Sequence, residues 1–141
     1  MSVVETLHYP VLCLSRDTSI SVRPDPGTLC RCNAKALWGN RYFEGLLVFD
    51  SSARRYRVTD ASPAAPVSAV RQGLMRLLNQ TVPVRLSMEE IGPSSLEQVK
   101  ERVLEWIDRD PEFWEAGGEL AELKSRIARA SGVPQLAAIV G

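Results

Sequence analysis

At 141 residues, with 45% hydrophobic and 24% charged residues, the chain fits one globular domain and not a disordered tract. Its 17 basic residues balance 17 acidic ones, which excludes the overall positive field that drives general nucleic-acid or membrane binding. A single histidine, His8, excludes most metal sites and catalytic triads built on imidazole.

The first segment, Met1 to Tyr9, has no positive charge and no apolar run of signal-peptide length, so neither export nor membrane association is expected. Three cysteines, Cys13, Cys30 and Cys32, are an odd number without an export signal and point to reduced thiols in the cytoplasm. Tyr9 to Leu14 and Ser19 to Arg23 read as strands, the second with apolar residues at period two, and Pro24-Asp25-Pro26-Gly27 reads as a turn. Leu46 to Phe49 and Arg55 to Thr59 form a predicted hairpin closed by Asp50 and its serines. Tyr56 and Val58 share its buried face, and Arg55 and Arg57 share a wet one.

Asp60 to Pro66, rich in Ala, Ser and Pro, is expected to be a connector. Val70, Leu74, Leu77 and Leu78 recur at helical spacing within Val67 to Gln80, with Arg71 and Arg76 on the complementary surface. Val82 to Met88 alternates as a last strand, and Pro83 suggests an edge. Ser94 to Glu97 supplies a capping box for a helix whose buried stripe is Leu96, Val99, Val103, Trp106 and Ile107, with Glu105 and Arg109 in water. Asp110-Pro111 caps a short turn of helix that tucks in Phe113 or Trp114. Glu119 to Ser131 follows with a Glu122–Arg126 pair and Gly132 as left-handed cap, and Gln135 to Val140 closes the chain. Strands first and helices last give a single α+β domain over 1–141: strand-rich to 60, connector 61–66, helix and strand 67–88, helical 94–141. The expected architecture is an antiparallel sheet of four or five strands packed on one face by the C-terminal helices.

Candidate chemistry is sparse. Cys13, Cys30, Cys32 and His8 could supply a Cys3His set, but Cys13 lies in an apolar strand and the spacing is poor, so no metal and no cofactor is expected. Asp108, Asp110, Glu112 and Glu115 read as caps and helix solvation in place of an acid–base pair, and Gly117-Gly118 lacks the lysine of a phosphate loop. The charge is unevenly spread: residues 1–88 carry 11 basic and 6 acidic side chains, net +5, and residues 89–141 carry 6 and 11, net −5. Glu112, Glu115, Glu119 and Glu122 beside Trp114 could steer and dock a basic protein surface. Trp38, Arg41 and Tyr42, in a turn-like aromatic segment, are competing anchors. Arg54, Arg55 and Arg57 offer the alternative of a small regulatory nucleic-acid-binding module, although stacking aromatics are missing from that face.

The layout resembles the small immunity proteins of bacterial polymorphic and contact-delivered toxin systems. Leu46-Leu47-Val48-Phe49-Asp50 with Arg55-Tyr56-Arg57-Val58 carries the resemblance, together with Asp110-Pro111-Glu112-Phe113-Trp114 running into Glu119-Leu120-Ala121-Glu122-Leu123-Lys124. It implies a non-enzymatic cytoplasmic inhibitor that occludes the active site of a cognate protein toxin, and a homodimer is a further candidate assembly.

Overall fold

A computed structural model describes residues 3–39 and 41–141. In chain order the elements are α1 (Val3–Thr6), β1 (Val11–Leu14), β2 (Ile20–Arg23), α2 (Pro26–Leu29), β3 (Arg31–Asn33), a π-helical turn (Lys35–Gly39), β4 (Leu47–Phe49), β5 (Arg54–Pro63), α3 (Ala69–Leu77), β6 (Thr81–Pro93), α4 (Leu96–Arg109), α5 (Pro111–Glu115), α6 (Leu120–Arg129) and α7 (Val133–Val140). The strands form one curled antiparallel sheet in the order β2-β1-β4-β5-β6-β3, so the fold is α+β, with six strands where the sequence suggests four or five. The unanticipated strand, β3, is only three residues long and pairs with the start of β6.

The sheet is buried on both sides by different means. Val11, Cys13, Val48, Tyr56, Val58, Val82, Val84, Leu86 and Met88 fill the concave interior, closed by Leu7, Leu29, Phe43 and Met75. Leu12, Leu14 and Phe49 face the other way, onto Val99, Val103, Ile107, Ile127 and Leu136 of the C-terminal helices. All four residues of β1 are therefore buried, which is why its sequence is a continuous apolar run with no alternation. The outer face of β5 and β6 lies beyond the helices, and Arg57, Thr59, Arg85 and Ser87 there are exposed. That is the wet face the hairpin predicts.

The hairpin forms in the register Leu47–Arg57, Val48–Tyr56, Phe49–Arg55. Asp50, fully buried, organises its turn. Its Oδ1 accepts from the Ser52 amide (3.0 Å), the Ser52 hydroxyl (2.7 Å) and the Arg54 amide (3.0 Å), and its Oδ2 accepts from the His8 amide (3.4 Å). Trp106 joins the layers at one point: its indole N–H donates to the Ser15 carbonyl at 2.7 Å.

Several local expectations are corrected. Asp60 to Pro63 continues β5 because β6 pairs with it as far as Pro63–Val84, across a shift at Val58/Asp60. The connector shrinks accordingly. Strand β6 extends to Pro93 and is not an edge. Pro83 is accommodated because its carbonyl accepts from Ala64 while the neighbouring Val84 amide donates to Cys30. Pro24 to Gly27 leads into α2, where the Asp25 carboxylate accepts from the Thr28 amide at 2.7 Å. The α4 capping box is set by Ser95 and Gln98, one residue later than predicted, because the Ser94 hydroxyl bonds the Ala53 carbonyl. Asp110 makes no side-chain cap, Gly132 is extended with φ −176°, and no Glu122–Arg126 ion pair forms; Lys124 instead reaches Asp108 at 2.7 Å.

The largest correction concerns α3. Its stripe is amphipathic as predicted, but it points outward: Val70, Leu74, Leu77 and Leu78 are exposed, and Met75 on the opposite side is the helix's buried residue. Periodicity reports that a helix has two faces and does not report which one docks.

Candidate binding surfaces

Two of the surfaces anticipated from the sequence come together in space, and a third does not. The first lies along α5, α6 and α7. A cleft of about 320 Å3 is lined by Trp114, Gly117, Gly118, Glu119, Glu122, Leu123 and Arg126, and closed by Ile139 and Val140 of α7. Gly118 makes the bend between α5 and α6 at φ +145°, a backbone state that side chains rarely adopt. Glu119 and Glu122 are exposed on the rim, and Glu112 and Glu115 are exposed on the adjoining α5. None of these four carboxylates has an ion-pair partner within 4 Å among the described residues. Trp114 is half-buried with its ring edge-on to Phe113 at 5.3 Å. Its indole N–H is buried without an acceptor among the described residues. Phe113 itself is in water. Sequence proximity reveals Trp114, Glu119 and Glu122; Ile139 and Val140 reach the cleft only through the packing of α7.

The second surface is the corner after the π-helical turn. Trp38 and Tyr42 pack against the concave core and are half-buried. The Tyr42 hydroxyl shares a 2.7 Å hydrogen bond with Ser21, the Arg23 guanidinium stands 5.8 Å from its ring centre, and burial raises its phenol above the ordinary range. These aromatics thus tether the loop. Arg41 is exposed at φ +52° and lies near Glu44 (3.8 Å), which Arg16 also approaches (3.7 Å). Arg41 and Tyr42, with Ser15, Arg16 and Asp17, line an open groove of about 520 Å3. Asn40, within this segment, lies outside the described residues.

The three arginines proposed for nucleic acid do not share a surface. Arg54 and Arg57 are exposed on opposite faces of β5, as alternation requires. Arg55 is tucked under α4 in a cavity with Glu101, Arg102 and Glu105, its Nη2 donating to the Ile91 carbonyl at 3.3 Å and its Nε without an acceptor among the described residues.

The thiols are shielded. Burial pushes Cys13 up to about 12 and Cys32 up to about 11, and raises Cys30 as well, so the thiolate needed for nucleophilic or metal chemistry is scarce near neutral pH. Among the described residues, no three His, Cys, Asp or Glu side chains converge as a metal set. No helix among them is long and apolar enough to cross a membrane.

Compared with family models, curated proteins and solved structures, the chain matches none.

Proposed function

We propose that this chain is a non-enzymatic immunity protein that binds and neutralises a cognate protein toxin through the α5–α7 cleft. The observation that carries this reading is a Trp114-lined cleft rimmed by Glu119 and Glu122, with Glu112 and Glu115 on the adjoining α5, all four exposed and without an ion-pair partner within 4 Å among the described residues. Clustered carboxylates carry only a small repulsive cost in water and favour a basic surface on approach, raising the association rate and fixing orientation. Leu123 and Ile139 supply apolar walls, and Trp114, packed on the helical core, backs the cleft. Inhibition is steric and electrostatic, with no turnover. The nucleic-acid reading is the weaker one, because the burial of Arg55 beside Glu101 and Glu105 breaks up the arginine cluster on which it depends.

The test is rescue of growth. A toxin domain encoded beside this chain in its source genome should arrest cells when expressed alone, and co-expression of this chain should restore them. The Glu119→Lys/Glu122→Lys variant should fail to restore growth at equal abundance. Rescue that is indifferent to these charges contradicts the cleft, and arrest that this chain cannot relieve contradicts the immunity reading.

A further inference from the structure

Six large apolar side chains are exposed among the described residues, and four of them belong to α3 and its C-cap: Val70 (85% exposed), Leu74 (54%), Leu77 (79%) and Leu78 (59%). Val70, Leu74 and Leu77 stand at i, i+4 and i+7, which makes one stripe along the outer side of the helix. Gly73 beside them faces open space. The chain cannot cover this stripe itself. Helix α3 docks through Met75 on the concave side of the sheet, whereas the C-terminal helices occupy the opposite side.

The charged side chains of α3 itself, and the one beside its C-terminal end, are basic. Residues 26–39 and 61–88 contain five basic side chains, Arg31, Lys35, Arg71, Arg76 and Arg85, and no acidic one. All five are exposed, and none has an ion-pair partner within 4 Å among the described residues. Arg71 and Arg76 flank the stripe and Lys35 adjoins the helix end through the bond from its amide to the Asn79 side chain (3.2 Å), whereas Arg31 and Arg85 project from the opposite face of β3 and β6. The acidic cluster of α5 and α6 sits on the other side of the sheet. Net neutrality of the whole chain conceals this segregation.

We propose that the α3 face docks on an anionic lipid surface, with Val70, Leu74, Leu77 and Leu78 entering the headgroup boundary and the basic side chains meeting lipid phosphates. A convex ridge one helix wide, apolar along its crest and cationic on both flanks, has the form of an interfacial amphipathic helix, whose long basic side chains remain at headgroup level while the crest is buried. A second copy fits less well: antiparallel pairing of two α3 helices about a two-fold axis through the middle of the stripe would bring Arg71 of each copy near Arg76 of the other, with no carboxylate on either helix. Lipid docking also fixes orientation, because the acidic cleft then faces away from the anionic surface and into water. The inference is independent of the toxin reading, and no toxin enters its test.

The experiment is co-sedimentation of the full chain with phosphatidylcholine vesicles that contain or lack phosphatidylglycerol. The expected result is binding at least about tenfold stronger to the anionic vesicles and weakened by salt. Leu74→Asp/Leu77→Asp and Arg71→Glu/Arg76→Glu should each lower binding by about tenfold with unchanged thermal unfolding. Glu119→Lys/Glu122→Lys, on the opposite side, should not lower it. Equal or absent binding to the two vesicle types overturns the proposal. So does a lipid-free dimer that becomes monomeric in Leu74→Asp/Leu77→Asp, which would assign the ridge to a protein contact.

Discussion

Replacing Asp50 by alanine should destabilise the fold by about 2–4 kcal/mol. Its fully buried carboxylate accepts four hydrogen bonds, three of them from the backbone amides of His8, Ser52 and Arg54, and it ties the segment before β1 to the β4–β5 turn. Alanine leaves those donors without an acceptor. Each orphaned donor costs about 1–3 kcal/mol when buried, and the turn is partly open to water, so the sum falls toward the lower end. The Asp50→Asn variant, with one carbonyl oxygen, can keep the Ser52 and Arg54 bonds but turns an amide N–H toward the His8 donor, which should give about half the loss. At about 3–5 °C per kcal/mol for a domain of this size, Asp50→Ala should melt about 6–20 °C lower. Urea unfolding followed by circular dichroism, with thermal scans alongside, measures both variants. A loss for Asp50→Ala below about 0.5 kcal/mol would refute the idea that this carboxylate organises the turn.

Four further outcomes follow from packing and protonation. Trp106→Phe removes the indole donor to Ser15 and should cost about 1–3 kcal/mol in the same urea assay. Leu77→Ser should change stability by less than about 0.5 kcal/mol because Leu77 is already in water, whereas Met75→Ala should cost about 2 kcal/mol or more; the reverse ranking would mean that α3 docks by its other face. Lys100, buried, donates to the Ala128 carbonyl at 2.8 Å at the end of α6, so Lys100→Ala should loosen α4 against α6 by about 1–3 kcal/mol and speed hydrogen exchange there. The folded Cys13 thiol ionises near 12 and Cys32 near 11, against an ordinary value of 9.0. Their contribution is therefore intact below pH 9 and is lost between pH 9 and 12, as ionisation favours the unfolded chain. Cys13→Ala should flatten that alkaline decline in urea midpoints, and a thiol reagent should label Cys13 only on unfolding.

The elements that were legible in the sequence are those whose pattern and environment agree. Tyr56 and Val58 alternate with Arg55 and Arg57 because β5 is buried on one side there, and Val99, Val103, Trp106 and Ile107 repeat at helical spacing because α4 docks by that side. Strand β3 escaped because three residues carry no period, and the far half of β5 because Ala61, Ser62 and Pro63 are strand-forming only when β6 holds them. The α3 stripe was visible, but its direction was not: orientation is decided by what the rest of the chain leaves uncovered. The same limit applies to the acidic cleft, where Trp114, Glu119 and Glu122 are near in sequence while Ile139 and Val140 arrive by tertiary packing. The arginine cluster is split because Arg54 faces away from Arg57 along the strand and because α4 covers Arg55 on the side it shares with Arg57.

Calorimetric titration of the purified chain against a candidate toxin domain from a neighbouring gene of its source genome addresses the central claim most directly. A 1:1 complex that weakens with salt, and by about tenfold or more in Glu119→Lys/Glu122→Lys, is the predicted result. Absence of a complex, or a complex of unchanged affinity after reversal of those two charges, would contradict a toxin-binding role for the α5–α7 cleft.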